Sequence, residues 1–212
     1  IYSQSNLPAE LQSLKDLTMN LWWSWQPRAI RLFQSIDPEL WAQTDGNPRW
    51  MLHLLGAERI AELCQDRAFL AEVQALYDDL QAYLEERPDE TRPSVAYFCM
   101  EYGISNTLHI YSGGLGILAG DYVKEASDSN VRLTAVGLLY RYGYFTQKLS
   151  AQGAQEATYE AQNFSKLPIS PVRDELGNWT TVQIALPGRT LSARVWRCQV
   201  GRTDLFLLDT DY

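Results

Sequence analysis

The fold of this chain is decided by residues 95–121, VAYFCMEYGISNTLHIYSGGLGILAGD. The stretch opens on a short apolar run, residues 95–100, which is typical of a strand buried on both faces. Further on, three glycines fall within four positions, at Gly113, Gly114 and Gly116, and an apolar segment of helical spacing follows them. A strand, a glycine-rich loop and a helix in this order predict the beginning of an α/β unit.

Glycines at the start of a helix favour the binding of an anion. The N–H groups of the first helical turn have no partners inside the helix, and the helix dipole attracts negative charge there. Because glycine carries no side chain, a phosphate can approach this backbone closely. The residues expected to hold it are Gly113, Gly114, Leu115 and Gly116. A loop that serves only close packing is the alternative, but three glycines in four residues favour the anion.

Two other phosphate-binding motifs fit poorly. Residues 114–119 match the dinucleotide pattern G-x-G-x-x-A, but the preceding apolar run ends about a dozen residues too early for the tight turn of that motif. The acidic residue expected roughly 20 residues further on is missing, since residues 134–140 contain none. A P-loop is excluded, because no Gly-Lys-Ser/Thr follows the glycines.

The first part of the chain, residues 1–92, is predicted to be helical. Apolar residues recur at helical spacing, and one long stripe runs from Ile60 to Leu84. Asp37 followed by Pro38 marks the start of another helix, because Asp caps the first turn and Pro suits the first helical position.

The second part, residues 93–212, is predicted to form a sheet. After the glycine loop and a helix at 115–128, a second apolar run covers residues 131–140. Buried strands separated by a helix imply a parallel sheet. Beyond Pro171, alternating polarity predicts a β-hairpin and a third strand, which would add an antiparallel element. The expected fold class is therefore α/β.

Composition narrows the range of functions. The formal net charge of -8 argues against a nucleic-acid or anionic-membrane surface, since both need clustered lysines and arginines. The apolar stretches are shorter than a membrane span, and no charged-then-apolar leader opens the chain, so we expect a cytoplasmic protein. The chain begins at Ile1 without a methionine and stops just after a strand-like run, so we expect a piece of something longer.

Cysteines and histidines do not predict a metal site. Cys64, Cys99 and Cys198 are widely separated and lie among apolar residues, which favours free buried thiols over disulfides or metal ligands. His53 and His109 lie far from any cysteine, so a zinc site has no support.

Glu101 and Arg141 are further candidates for a site. Each follows an apolar run, and the carboxyl ends of parallel strands line the ligand crevice of open α/β sheets. Glu101 could instead cap a loop. Arg141 could meet a phosphate or a sugar hydroxyl in a cleft, or it could pack against an aromatic ring.

Three tryptophans, Trp22, Trp23 and Trp25, could stack on a carbohydrate. Tryptophans beside helically spaced leucines usually anchor a core, and we favour that interpretation.

Taken together, several runs in this order resemble the α-glucan (glycogen, starch and maltodextrin) phosphorylases, and the opening ones resemble their shorter bacterial branch. The runs are NLWWSW at 20–25, DPELW at 37–41, FCMEYG at 98–103, IYSGGLGILAGD at 110–121, ASD at 126–128 and VGLLYRYGYF at 136–145. Two positions depart from the pattern: His109 stands where related short enzymes usually have Pro, and Tyr102-Gly103 differs from the longer animal enzymes.

The resemblance implies a GT-B (Rossmann-like) architecture, of which this chain would hold an incomplete domain. It implies reversible phosphorolysis of α-1,4-glucan chain ends to glucose 1-phosphate, with retention of the anomeric configuration. Residues 113–116 would face the phosphate and the glucosyl unit, and Glu101 would lie at the glucosyl site. The implied cofactor is pyridoxal 5′-phosphate, whose lysine and phosphate-clamping residues belong to a carboxyl-terminal domain outside this chain. The main catalytic groups are therefore expected elsewhere, and the isolated chain is expected to be inactive.

Two other functions remain open. A nucleotide-sugar-dependent glucan synthase also uses a glycine-rich loop, but it usually has a basic residue before Gly-Gly-Leu near its start, where this chain has Ser112. A noncatalytic glucan-binding module would use the three tryptophans as its platform. Oligomeric state, chain-length preference and allosteric control cannot be predicted from these residues.

Overall fold

The computed structural model describes residues 7–211; Ile1 and Tyr212, the two chain ends, lie outside this range. Helices make up the first part of the chain. They are α1 Gln12–Leu17, α2 Pro27–Ile36, α3 Pro38–Gln43, α4 Pro48–Leu54, α5 Ala57–Gln65 and α6 Arg67–Glu85, with short 3-10 turns at Ala9–Leu11 and Leu21–Trp25.

Local capping sets where these helices begin. Asp37 accepts a hydrogen bond from the N–H of Leu40 at 2.9 Å and caps α3 as predicted. The prediction of one continuous helix from Ile60 to Leu84 is wrong. Asp66 interrupts it, because its backbone is extended and its carboxylate accepts the N–H groups of Ala68 and Phe69, each at 3.0 Å, to start α6.

The second part forms a mixed sheet. Its strands run in the order β1-β2-β8-β7-β5, and β6 also pairs with β7. Their bounds are β1 Val95–Phe98, β2 Leu133–Leu138, β5 Ile169–Pro171, β6 Thr181–Leu186, β7 Arg189–Val200 and β8 Thr203–Asp209. Strands β3 Thr146–Leu149 and β4 Gln155–Thr158 form a separate antiparallel pair, and α7 Gly114–Asp128 connects β1 to β2.

The topology confirms the predicted α/β fold in its main features. Strands β1 and β2 are parallel and joined through α7, and β6, β7 and β8 form an antiparallel meander. The sequence did not indicate that β8 lies between β2 and β7, parallel to the first and antiparallel to the second. The meander therefore extends the parallel sheet directly.

The prediction that residues 95–100 are buried on both faces is wrong. Val95 is 40% exposed, Phe98 73% and Met100 59%. The reason is that β1 lies at the edge of the sheet and pairs only with β2. On β2, burial alternates, so that Leu133 and Ala135 face the core while Leu138 is exposed. Within residues 7–211, one face of this edge of the sheet is thus uncovered.

One buried cluster runs through both the helical part and the sheet. Asn20 joins them, because its side-chain amide donates to the Gly201 carbonyl at 3.0 Å and its carbonyl accepts the Gly201 N–H at 2.8 Å. Arg202 adds a second link, since its Nε donates to the Tyr83 carbonyl at 2.6 Å. The boundary at residue 92 remains a prediction about sequence segments.

Core packing accounts for most of the tryptophan cluster. Trp22 and Trp23 are 6% and 4% exposed, as the core interpretation predicts. Trp25 is only partly buried, and its Nε1 donates to the Asp128 carboxylate at 3.1 Å.

The three cysteines are free, as predicted. Cys198 is fully buried, and this burial raises the pKa of its thiol to about 12. Cys64 and Cys99 are only half-buried, which corrects the expectation that all three lie inside. No helix among the described residues is long and apolar enough to cross a membrane.

Helix α7 lies directly on the loop that follows β1. The Gly103 N–H donates to the Gly116 carbonyl at 2.7 Å, so the two backbones touch. A side chain at Gly120 would overlap with the Gly103 carbonyl, and one at Gly116 would lie 2.9 Å from Glu101 Oε2. The two helix glycines are therefore needed for close approach of the backbones.

We expect Gly120→Ala to lower the free energy of unfolding by ~1–3 kcal/mol, because the new methyl group overlaps with a backbone carbonyl that cannot move freely. Gly114→Ala is the matched control, since its methyl group would meet nothing within 4 Å, and a helical alanine is favoured by up to ~1 kcal/mol. Urea unfolding of both variants gives the comparison. Equal stability of the two would contradict this packing.

Candidate functional site

A pocket opens at the carboxyl ends of β1 and β2, where the sequence predicts a ligand crevice. Its volume is about 220 Å³. It is lined by Met100, Glu101, His109, Ile110, Tyr111, Ser112, Tyr140, Tyr142, Gly143 and Tyr144. Two predicted features, Glu101 and the loop before α7, thus meet at one place.

Glu101 fixes the glycine loop. Its Oε2 accepts the N–H of Ser112 at 2.8 Å and lies 3.5 Å from the N–H of Gly113. The predicted loop-capping role is therefore present in the structure. No hydrogen bond among the described residues uses Oε1, so this oxygen remains able to accept one from a ligand.

The start of α7 presents free donors. Gly113 is its N-cap, and the first bond along the helix runs from the Ile117 N–H to the Gly113 carbonyl at 3.2 Å. The N–H groups of Gly114, Leu115 and Gly116 therefore have no partner within the helix. Gly114 and Leu115 are exposed while Gly116 is buried. Residues 113–116 follow Ser112, which lines the pocket, but none of the four is itself a lining residue, and the Gly113 N–H is directed to Glu101.

Two tyrosines that sequence reasoning missed support this wall. Tyr102 is fully buried, and its hydroxyl oxygen lies 2.9 Å from the Tyr97 carbonyl and 3.0 Å from the Val136 carbonyl, so its one proton is shared between the two strands. Gly137 leaves the space for this ring, because a Cβ there would lie 2.7 Å from it. Each bond joins the ring to a strand carbonyl, and no spacing in the sequence indicates such a contact.

Tyr140 holds the end of β1 in the same way. Its hydroxyl donates to the Met100 carbonyl at 2.9 Å. Burial and the nearby Glu101 carboxylate raise the pKa of Tyr140, so the phenol stays protonated and remains a donor at neutral pH.

Gln162 does not line the pocket itself but bonds to two residues that do, His109 and Tyr140. Its side-chain amide donates to the His109 carbonyl at 2.9 Å and to the Tyr140 carbonyl at 2.8 Å, and its oxygen accepts the His109 N–H at 3.2 Å. The structure thereby holds His109 at the pocket wall. Gln162 carries no sequence signal, because its partners lie 53 and 22 residues away.

Arg141 is not brought to the pocket. Its Nε lies 3.5 Å from an Asp211 carboxylate oxygen, and its guanidinium lies 5.7 Å from the centre of the Phe164 ring. The aromatic contact that was open at the level of sequence is therefore present. Arg141 does not line this pocket, and its position in a cleft stays a prediction.

The lining offers little to a cofactor or a metal. No lysine or arginine lines the pocket, so these residues supply neither an amine for an aldehyde nor a cation for a cofactor phosphate. Within residues 7–211, no group of three His, Cys, Asp or Glu side chains is arranged to hold a metal ion.

Comparison with known proteins agrees with the sequence motifs. A family model described as a protein of unknown function (DUF3417) matches residues 7–108. Maltodextrin phosphorylase of Thermococcus litoralis is 41% identical over 98% of this chain and 26% of its own length. Glycogen phosphorylase of Mycobacterium tuberculosis is 42% identical over 98% of this chain and 26% of its own length. Glycogen phosphorylase of Aquifex aeolicus is 37% identical over 94% of this chain and 29% of its own length.

These matches confirm the resemblance to the phosphorylases that the motifs predict. The similarity extends over nearly the whole chain, but the chain spans only about a quarter of the length of the first relatives. The chain is therefore consistent with an amino-terminal part of a phosphorylase.

We expect Glu101→Gln to loosen the glycine loop, because a neutral amide oxygen binds N–H groups about half as strongly as a carboxylate. Hydrogen exchange of a peptide covering residues 111–114 should rise by roughly 3–10-fold, which corresponds to about 1 kcal/mol. Glu125→Gln, near the other end of α7, is the control and should leave this exchange unchanged. Unchanged exchange in both variants would show that Glu101 does not hold the loop.

Proposed function

We propose that this chain is the amino-terminal part of an α-glucan phosphorylase and contributes one wall of its active site. The complete protein would be a GT-B glycosyltransferase that converts α-1,4-glucan chain ends and inorganic phosphate reversibly to glucose 1-phosphate, with retention. Relatives named phosphorylases support the family. The observation that carries the proposal is the meeting of Glu101 with the donor-rich start of α7.

The free N–H groups of Gly114 and Leu115 would bind the substrate phosphate. Both residues are exposed, their N–H groups lie in the first turn at the positive end of the helix, and a Cβ at Gly113 or Gly114 would meet nothing within 4 Å. Since the donors belong to folded backbone, they need no rearrangement to stabilise negative charge during the reaction.

Glu101 would bind the transferred glucosyl unit rather than the phosphate. Two anions repel each other, so the carboxylate and the phosphate cannot share the same donors. Its Oε2 already accepts the loop N–H groups, which leaves Oε1 for a sugar hydroxyl. The loop and the sugar would thus be positioned by one side chain.

The cofactor pyridoxal 5′-phosphate does not fit the described residues alone. The pocket contains no lysine to bind its aldehyde and no lysine or arginine to clamp its phosphate. Under this proposal both come from the rest of the protein, so the 212-residue chain is inactive by itself. We place the complete enzyme in the cytoplasm, where its glucan substrate would be stored.

Two competing functions make different demands. A glucan synthase would need a nucleotide-sugar donor in place of phosphate. A glucan-binding module with a tryptophan platform is disfavoured, because Trp22 and Trp23 are buried in the core.

Gly114→Pro tests the role of the backbone donor. Proline suits the first position of a helix, and Gly114 has open space around it, so the substitution removes one N–H group with little other change. In the full-length protein we expect kcat/KM for phosphate to fall by roughly 10–100-fold, the value of one hydrogen bond to a charged group. Gly114→Ala keeps the N–H and should change kcat/KM by less than about threefold.

The assay measures glucose 1-phosphate formation from maltoheptaose and inorganic phosphate. The isolated chain is assayed in the same way, and a parallel assay measures glucosyl transfer from a nucleotide-glucose. Activity of the full-length protein with phosphate and none with the nucleotide sugar supports the proposal. Transfer from the nucleotide sugar alone would replace it with the synthase. If Gly114→Pro and Gly114→Ala changed kcat/KM equally, the phosphate would not be bound by the N–H group at this helix start.

A further inference from the structure

A second pocket lies between the helical part and the sheet and shares no residue with the first. Its volume is about 510 Å³. It is lined by Lys15, Asp16, Thr18, Met19, Arg49, Leu52, His53, Phe164, Ser165, Ile169, Ser170, Pro171 and Trp196. Three basic side chains therefore face one acidic side chain, in a chain whose net charge is -8.

Arg49 is a half-buried cation that has no carboxylate partner among residues 7–211. Its Nε donates to the Ser165 carbonyl at 3.2 Å, and Nη1 contacts the Met19 sulfur at 2.6 Å. None of the ion pairs among residues 7–211 includes it. A guanidinium has five N–H donors, so three are left after these contacts. Burying a charge without an opposite charge is unfavourable, and burial lowers the pKa of Arg49.

Two other basic side chains, Lys15 and His53, line the pocket with Arg49, and Lys166 lies nearby without lining it. His53 lies one turn after Arg49 on α4, and Lys15 comes from α1. Lys166, in the turn Phe164–Lys166, stacks its ammonium 3.6 Å from the centre of the Trp50 ring. Burial lowers the pKa of His53, and the charges of Arg49, Lys15 and Lys166 lower it further. Two side chains that are positively charged at neutral pH, Arg49 and Lys15, therefore line the pocket together with one carboxylate, Asp16.

We propose that this pocket binds a phosphate group, carried either by inorganic phosphate or by a small sugar ester. The remaining guanidinium donors of Arg49 match two phosphate oxygens, Lys15 adds a positive charge from α1, and the neutral ring of His53 can add an N–H donor. A polyanion such as nucleic acid does not fit, because the cations are gathered in one pocket of an otherwise acidic protein. The site is separate from the glycine loop and does not depend on the proposed function.

Equilibrium dialysis of the full-length protein with radiolabelled inorganic phosphate tests this site. We expect Arg49→Gln to bind one phosphate fewer per chain than the wild type. Arg67→Gln is the matched control, because it makes the same charge change at the exposed first residue of α6, away from the pocket. The difference between the two variants counts only the Arg49-dependent site, whether or not the glycine loop also binds phosphate.

Lys15→Gln provides a second variant, so that the result stands even where Arg49→Gln does not fold. It lines the same pocket, and we expect it to weaken phosphate binding about tenfold. In competition, tighter binding of glucose 1-phosphate than of phosphate assigns the site to a sugar ester, and weaker binding assigns it to free phosphate. Phosphate binding by Arg49→Gln or Lys15→Gln that equals that of the wild type and Arg67→Gln would overturn the proposal.

Discussion

Helix α7 and the loop after β1 touch backbone to backbone, and this contact brings the candidate site together. Gly103 bonds to the carbonyl of Gly116, and Gly120 leaves the space for the loop to pass. Because the loop lies so close, the carboxylate of Glu101 reaches the residues before α7 and orders them. The glycines therefore act in two ways: Gly113 and Gly114 leave the helix start clear of side chains, and Gly116 and Gly120 allow the acidic side chain to lie beside it.

The rest of the fold supports this contact from both sides. Tyr102 hydrogen-bonds the loop to β1 and β2, and Gln162 holds the pocket residue His109 through its carbonyl. Asn20 joins the helical part to the turn between β7 and β8, so the sheet rests on a continuous core. By contrast, β1 and the outer side of α7 expose apolar side chains, including Phe98 and Leu118. A sheet edge of this kind is usually covered in the complete protein.

Sequence predicted the features that depend on local chemistry. The cap at Asp37, the helix after the glycines and the alternating strands follow from short-range rules, and the structure contains all three. Prediction from sequence failed where contacts with residues far along the chain set the position of a strand or a side chain. The apolar run at 95–98 has the pattern of a central strand but occupies an edge. Arg141 pairs with Asp211, and Gln162 bonds across the loops, and neither pairing has a sequence signature. The position of Glu101 after a strand predicts that it lies at the end of the sheet, and there it lines the pocket and accepts the Ser112 N–H.

We propose that the start of α7 binds a phosphate while Glu101 binds the attached sugar. A crystal structure of the full-length protein with glucose 1-phosphate would test both contacts at once. We expect phosphate oxygens within ~3 Å of the Gly114 or Leu115 nitrogen and a sugar hydroxyl on Glu101 Oε1, with the Ser112 bond to Oε2 retained. Glucose 1-phosphate bound elsewhere, with the helix start open to solvent, would contradict it.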